Sequence, residues 1–163
     1  MSEALRALLA EAEAALSPEE AETAAAIQRI EAARRKRDDA LLLKRRTVLA
    51  QQVDRLRKAA NGAYVVEPFD MEDKTPGAGM YVLRSPSRDA WKKSQDAFSA
   101  SNGDGAKIER AYVNLAAACI LWSDAPDGAD EWAAHREKYP GLVVAIGDAA
   151  GALGGAADRA RKR

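Results

Sequence analysis

The chain has 163 residues, of which 47 % are hydrophobic and only 6 % aromatic, so it has room for one ordinary domain and an extension but not for two large domains. Its 25 basic and 25 acidic side chains cancel, which disfavours a general nucleic-acid-binding protein, because such proteins need a cationic excess. The single cysteine excludes an intramolecular disulfide, and the absence of a basic leader or a long apolar run predicts a cytoplasmic protein without membrane contact.

The first predicted elements are a short helix over residues 2–16 and a long helix over residues 18–60. Ser17 precedes a proline and stands three residues before Glu20, a pattern typical of a capping box at a helix start. No glycine interrupts the chain before Asn61-Gly62. That pair can adopt the left-handed backbone that ends a helix, so we expect the helical region to cover residues 1–61.

The long helix carries leucines at a heptad spacing, Leu42, Leu49 and Leu56. Such a spacing indicates a face that packs on another helix. The basic run Arg34, Arg35, Lys36 and Arg37 interrupts this register. We therefore expect residues 1–61 to form a helical hairpin or a coiled-coil arm rather than a long zipper.

Charge is segregated along this arm. Residues 1–26 carry six acidic groups and one basic group, whereas residues 27–60 carry eleven basic groups and four acidic ones. Basic clusters such as Arg34–Arg37 can neutralise phosphates, but no aromatic residue is interleaved for stacking on bases. A solvated helix face, or one that meets acidic groups of a neighbouring subunit, is the favoured interpretation, and a nucleic-acid-associated role is a further alternative.

Residues 62–84 change character and predict a β-hairpin or an extended linker, with two short β-like runs at 63–67 and 80–84. Between and beside these runs lies an acidic cluster. Its spacing does not match a calcium loop, so a solvated turn is preferred to a metal site. The members of the cluster are Glu67, Asp70, Glu72 and Asp73.

Residues 85–155 predict a small bundle of about four helices. The first opens at Ser85-Pro86, and the second is capped by Asp104 and carries an apolar stripe that ends at Trp122. A shorter helix begins at Asp124 or Asp127, and a final helix covers about 140–153. Residues 156–163, which carry a net positive charge, are expected to form a disordered tail. The predicted fold class is therefore mainly α, with an N-terminal helical arm and a short β-hairpin.

His135 is the only histidine, and no serine or cysteine stands at a spacing that would place a nucleophile beside it. A general base needs a located proton and an orienting partner. We therefore expect a protein that is not an enzyme, with no catalytic residue, no cofactor and no metal.

The second half of the chain resembles the small tail assembly chaperones of long-tailed bacteriophages. The resemblance covers about residues 80–155 and rests on three short motifs. These are Arg84, Pro86, Ser87 and Trp91; Cys119 through Trp122 with Pro126; and Tyr139, Pro140, Gly141 and Leu142. The N-terminal arm has no counterpart in that pattern.

The resemblance implies a non-enzymatic role, in which many copies of a small helical protein coat the tape measure protein during tail assembly. We expect a helical protein client, a homo-oligomer and no membrane partner. One alternative is a structural or scaffolding component of a virion that oligomerises through its N-terminal helices, and a second is the nucleic-acid-associated protein. The candidate partner-binding residues are Leu42, Leu49, Leu56, Trp132, Leu142, Val143, Ile146 and Leu153.

Overall fold

The structure, a computed structural model, describes residues 17–125 and 129–161. The predicted first helix, the helix start at Asp127 and Pro126 lie outside the described residues. In chain order the elements are α1 (Pro18–Ala60), β1 (Val66–Asp70), β2 (Met80–Arg84), α2 (Arg88–Ala100), α3 (Gly105–Cys119), β3 (Ile120–Ser123), α4 (Ala129–Lys138) and α5 (Leu142–Arg161).

These elements confirm the mainly α fold class with a short β-hairpin. The chain divides into two compact units, residues 1–44 and residues 45–163. This boundary lies inside α1, whereas the sequence placed a domain boundary at residue 61. The difference arises because Leu49, Val53 and Ala60, near the end of α1, are buried, so this part of the helix contributes to the second unit.

The ends of α1 follow the predicted capping chemistry. The Ser17 backbone N–H donates to the Glu20 carboxylate over 2.8 Å, and the Glu20 N–H donates back to Ser17 Oγ over 3.4 Å. The first of these bonds holds the pKa of Glu20 below its usual value. At the other end, Asn61 and Gly62 take φ values of 46° and 78°, as expected for a left-handed C-terminal cap.

A three-stranded antiparallel sheet has the order β1-β2-β3. Val66 pairs with Arg84 and Asp70 with Met80, so β1 and β2 form the predicted hairpin. The third strand was not predicted, because the apolar run that begins in α3 continues through Trp122 without a glycine or proline. The helix ends at Cys119, and Ile120 turns to an extended conformation with ψ 120°. The predicted helical stripe is therefore wrong at Trp122, which pairs with Val82 of β2.

The core of the second unit lies between the sheet and two helices. Every residue from Met80 to Leu83 is buried, so both faces of β2 are covered. Tyr81 and Leu83, on one face, belong to a cluster with Ala116 of α3 and with Leu142 and Ile146 of α5. The packing of α3 and α5 on the sheet therefore positions the surfaces described below.

The glycines of α5 permit close packing rather than ending the helix. A Cβ on Gly147 would clash with the Tyr112 ring, and one on Gly154 would lie 2.7 Å from Trp91 Cε3. The helix therefore extends to Arg161, beyond the predicted end near residue 153 and into the expected disordered tail. Alanine and arginine, which dominate its last turns, are strong helix formers.

Candidate functional site

An open groove of about 380 Å³ lies along the hairpin of α2 and α3. The two helices are joined by a four-residue turn, which makes them antiparallel neighbours. Asp104 starts α3 by accepting hydrogen bonds from the backbone N–H groups of Ala106 and Lys107, over 3.0 and 3.3 Å. This turn fixes the spacing of the two helices and so the width of the groove.

Small side chains line the groove. On α2 they are Ala90, Ser94 and Ala97, and on α3 they include Ala111 and Ala118. In each set the residues lie three, four or seven positions apart, which places them on one face of their helix. A face of small side chains leaves room for a further backbone to approach the two helices closely.

The floor of the groove is apolar and its rim is polar. Ser94, Ala111 and Leu115 are buried, and the Ser94 hydroxyl donates to the Trp91 carbonyl oxygen over 2.7 Å within its own helix. Ser94 therefore does not offer its hydroxyl proton to a ligand. The rim residues are Ser87, Asp89, Lys93 and Asn114. Among the described lining residues there is therefore no set of converging polar groups of the kind that fixes a small molecule.

A second cavity, of about 230 Å³, lies where α4 turns into α5. Tyr139, Pro140, Gly141 and Leu142, the third motif of the resemblance, form one wall. Its other described lining residues are Met71, Thr75, Ala78 and Lys138. The Tyr139 hydroxyl approaches Gly77, where an added Cβ would lie 2.5 Å away, so this motif packs on the β1–β2 loop.

Most of the predicted partner-binding residues have buried or half-buried positions. Leu49, Leu142, Val143 and Ile146 are buried, so their side chains are not available to a partner in this conformation. The side chain of Trp132 lies outside the described residues. Leu42, Leu56 and Leu153 are half-buried. The structure thus brings α5 residues into the core rather than into an open groove.

Three arginines of α1 form ion pairs with the acidic cluster Glu67, Asp70, Glu72 and Asp73. Arg45 binds Glu72 and, over 2.6 Å, Asp124, while Arg46 binds Asp70 over 3.0 Å and also Asp73. Arg57 binds Glu67 over 3.0 Å and donates to the Val66 carbonyl oxygen over 2.9 Å. The expected solvated turn is therefore an ion-paired loop held by α1.

Sequence reasoning weighed each cluster separately and missed this pairing. The available signal was the opposite charge of two segments that are close in the chain. Among the described residues no group of three or more histidine, cysteine, aspartate or glutamate side chains is arranged to hold a metal ion. In that same part of the chain no helix combines the length and the apolar character that a bilayer crossing requires.

His135 packs into the second unit rather than into an open cavity. Its Nε2 lies 2.9 Å from the Ala78 carbonyl oxygen and 3.4 Å from the Tyr81 hydroxyl. The Tyr81 hydroxyl donates to the same carbonyl over 2.8 Å, and burial raises the pKa of Tyr81 well above its usual value. Both side chains therefore lie within hydrogen-bonding distance of one backbone carbonyl oxygen.

Cys119 should be unreactive in the folded protein. It is fully buried beside Leu115 and Ala150, and burial raises the pKa of its thiol to about 11, so the reactive thiolate is scarce at neutral pH. We expect labelling with a thiol reagent to be at least about a hundredfold slower in buffer than in denaturant, because reaction requires local opening. Fast stoichiometric labelling of the native chain would contradict the buried position of Cys119.

Comparison of the chain with known protein families, with curated proteins and with solved structures finds no match.

Proposed function

We propose that this protein is a non-enzymatic, chaperone-like binder of a helical protein client, of the kind that the tail assembly chaperones of long-tailed bacteriophages represent. The observation that carries the proposal is the open groove between α2 and α3. Its apolar floor and small side chains accept the ridge of an apolar helix. In the phage setting the client is the tape measure protein, and the site of action is the cytoplasm of the host cell.

The positions of the resemblance motifs support this proposal. Arg84 Nε donates to the Ala118 carbonyl oxygen over 3.0 Å, and Ser87 caps α2 by accepting from the Ala90 N–H over 3.2 Å. Pro86 and Trp91 lie against Gly154 of α5, where a Cβ would be 2.9 and 2.7 Å from them. These motif residues hold the α2–α3 hairpin on the rest of the unit, which keeps the groove in shape.

Assembly by many copies follows from the modest size of the groove. The groove has a volume of about 380 Å³, which is in the range of a single small-molecule pocket, so it accommodates only a few side chains of a client. A single copy would therefore bind weakly. Many copies along one long client would act together through avidity, which is why we propose a homo-oligomeric coat rather than a one-to-one complex.

Filling the groove should weaken client binding. Ala97 lines the groove yet is exposed, so Ala97→Trp places an indole ring there without disturbing the core. We expect the variant to bind a fluorescent, leucine-rich amphipathic peptide at least about tenfold more weakly than the wild type, since the ring excludes the apolar ridge of the peptide. Fluorescence anisotropy measures this difference.

Ala117→Trp is the matched control, because Ala117 is exposed on α3 but does not line the groove. This control should bind as the wild type does. Equal affinity of the wild type and Ala97→Trp for the peptide would show that the groove is not the binding site. A further test is genomic, since the proposal predicts a tape measure gene immediately downstream of the gene for this chain.

A further inference from the structure

A separate face of α1 combines exposed apolar and basic side chains. Ile27, Ile30, Arg34, Arg37 and Leu41 follow spacings of three, four, three and four residues, which places them along one side of the helix. All five belong to the unit that ends at residue 44. We refer to these five residues as the α1 face.

The apolar members of the α1 face are unusually open to solvent. Ile27 is 51 % exposed, Ile30 is 69 % exposed and Leu41 is 50 % exposed. Single exposed apolar residues are normal on protein surfaces, but three that share a coiled-coil spacing indicate a face that packs on a helix. Neither Arg34 nor Arg37 lies within 4 Å of a carboxylate among the described residues, and both are exposed.

A second copy of the chain is a poor occupant of the α1 face. A parallel copy in register would place each arginine against its own counterpart, and the centred antiparallel copy would place Arg34 against Arg37. A copy shifted by one heptad would place both arginines against isoleucines. Like charges in the first two seams are destabilising, and in the shifted seam each arginine would be buried against an isoleucine without a partner for its charge, so the arginines select against self-association through this face.

Nucleic acid and anionic membranes also fit poorly. Glu31 and Asp38 directly follow Ile30 and Arg37 in the chain and are exposed, so the surface around the two arginines is not the continuous cationic surface that phosphates or anionic headgroups require. A membrane-surface helix carries a wider apolar face with basic flanks.

We propose that the α1 face docks an amphipathic α-helix of another protein, which carries apolar residues against Ile27, Ile30 and Leu41 and carboxylates against Arg34 and Arg37. The apolar contacts supply affinity, and the two arginines supply selectivity for acidic partners. The docking helix recognises residues 17–44, whereas the α2–α3 groove belongs to residues 45–163. The proposal therefore does not depend on the function assigned to that groove.

The test uses the full chain and two synthetic helical peptides that span three heptads with leucine at the outer core positions. One peptide carries glutamate at the central core positions, and the other carries lysine there. Fluorescence anisotropy should show the glutamate peptide binding at least about tenfold more tightly than the lysine peptide, and high salt should reduce this preference. The double variant Arg34→Glu with Arg37→Glu should reverse it.

Arg29→Glu with Lys36→Glu is the matched control. Both residues are exposed on α1 away from the α1 face, and the change in net charge is the same. The control should keep the glutamate preference, and circular dichroism should show that both double variants retain the wild-type helix content. Equal binding of the two peptides, or equal loss in the control, would overturn the proposal.

Three other results would assign the α1 face to a different occupant and so also overturn the proposal. One is a wild-type oligomer in light scattering that the Arg34→Glu, Arg37→Glu variant converts to a monomer. Another is tighter binding of duplex DNA or of phosphatidylserine vesicles than of the glutamate peptide. The last is a failure of the Ala97→Trp variant to bind the glutamate peptide. That result would place the peptide in the α2–α3 groove and leave the proposed function intact.

Discussion

Ile146→Ala should lower the free energy of unfolding of residues 45–163 by about 2–5 kcal/mol, because truncating a buried isoleucine loses its transfer free energy and leaves a cavity. Ile146 is fully buried, and it packs in the cluster that contains Tyr81 and Leu142. Ile146→Asp should prevent this unit from folding, since it would bury an unpaired carboxylate. Urea unfolding followed by tryptophan fluorescence measures the effect, because all three tryptophans lie in residues 45–163.

Val144→Ala on the same helix is the control, since Val144 is 37 % exposed. We expect this change to alter the free energy of unfolding by no more than about 0.5 kcal/mol. A stability of Ile146→Ala that matches the Val144→Ala value would mean that α5 does not pack on the sheet as described.

Arg45→Met should lower the same free energy by about 1–3 kcal/mol, because it leaves the buried Glu72 carboxylate without its cationic partner. The Glu72 side chain is 6 % exposed, while that of Arg45 is 38 % exposed, so the loss falls below that of a fully buried pair. The second Glu72 oxygen accepts from the Gly77 N–H over 2.6 Å. Adding Glu72→Gln should recover part of the loss, because a neutral amide can still accept that hydrogen bond.

Arg55→Met is the control for this pair, since Arg55 is exposed on the same helix and makes no ion pair among the described residues. A double-mutant cycle in urea then isolates the coupling of Arg45 and Glu72. Additive effects of Arg45→Met and Glu72→Gln would show that the two side chains are not coupled and would contradict the ion-paired loop.

Local signals predicted much of the helical structure. The Ser17–Glu20 capping box, the Asn61-Gly62 end and the Asp104 cap are all observed. Each depends on side chains within four residues of a helix end, so a single sequence contains the information. The start of α2 is shifted, since Ser87 rather than Ser85 caps the helix.

Long-range interactions account for most of what sequence reasoning missed. β3 exists because Trp122 and Ser123 pair with β2, and the sequence around Ile120 carries no local break that would announce a strand. The pairing of Arg45 with Asp124 joins residues 79 positions apart. A pattern read along the chain does not contain such contacts.

The prediction that α5 residues bind a partner rests on a pattern that does not show which side chains are buried. Large apolar residues of α5 were chosen as a client-binding surface, yet Leu142 and Ile146 are fully buried. The open groove is lined instead by alanines and a serine, whose spacing on α2 and α3 was a readable signal. Small residues contribute little to a hydrophobic pattern, although they allow helices to approach closely.

Site-specific photo-crosslinking tests the proposal that the α2–α3 groove binds a helical client. A benzophenone amino acid at position 97 of the full chain should crosslink to apolar helical segments of a coexpressed helical client, which on the proposed function is a tape measure protein. The same group at Ala117, exposed but outside the groove, should give little crosslinking. Equal crosslinking from both positions, or none from position 97, would contradict client binding in the α2–α3 groove.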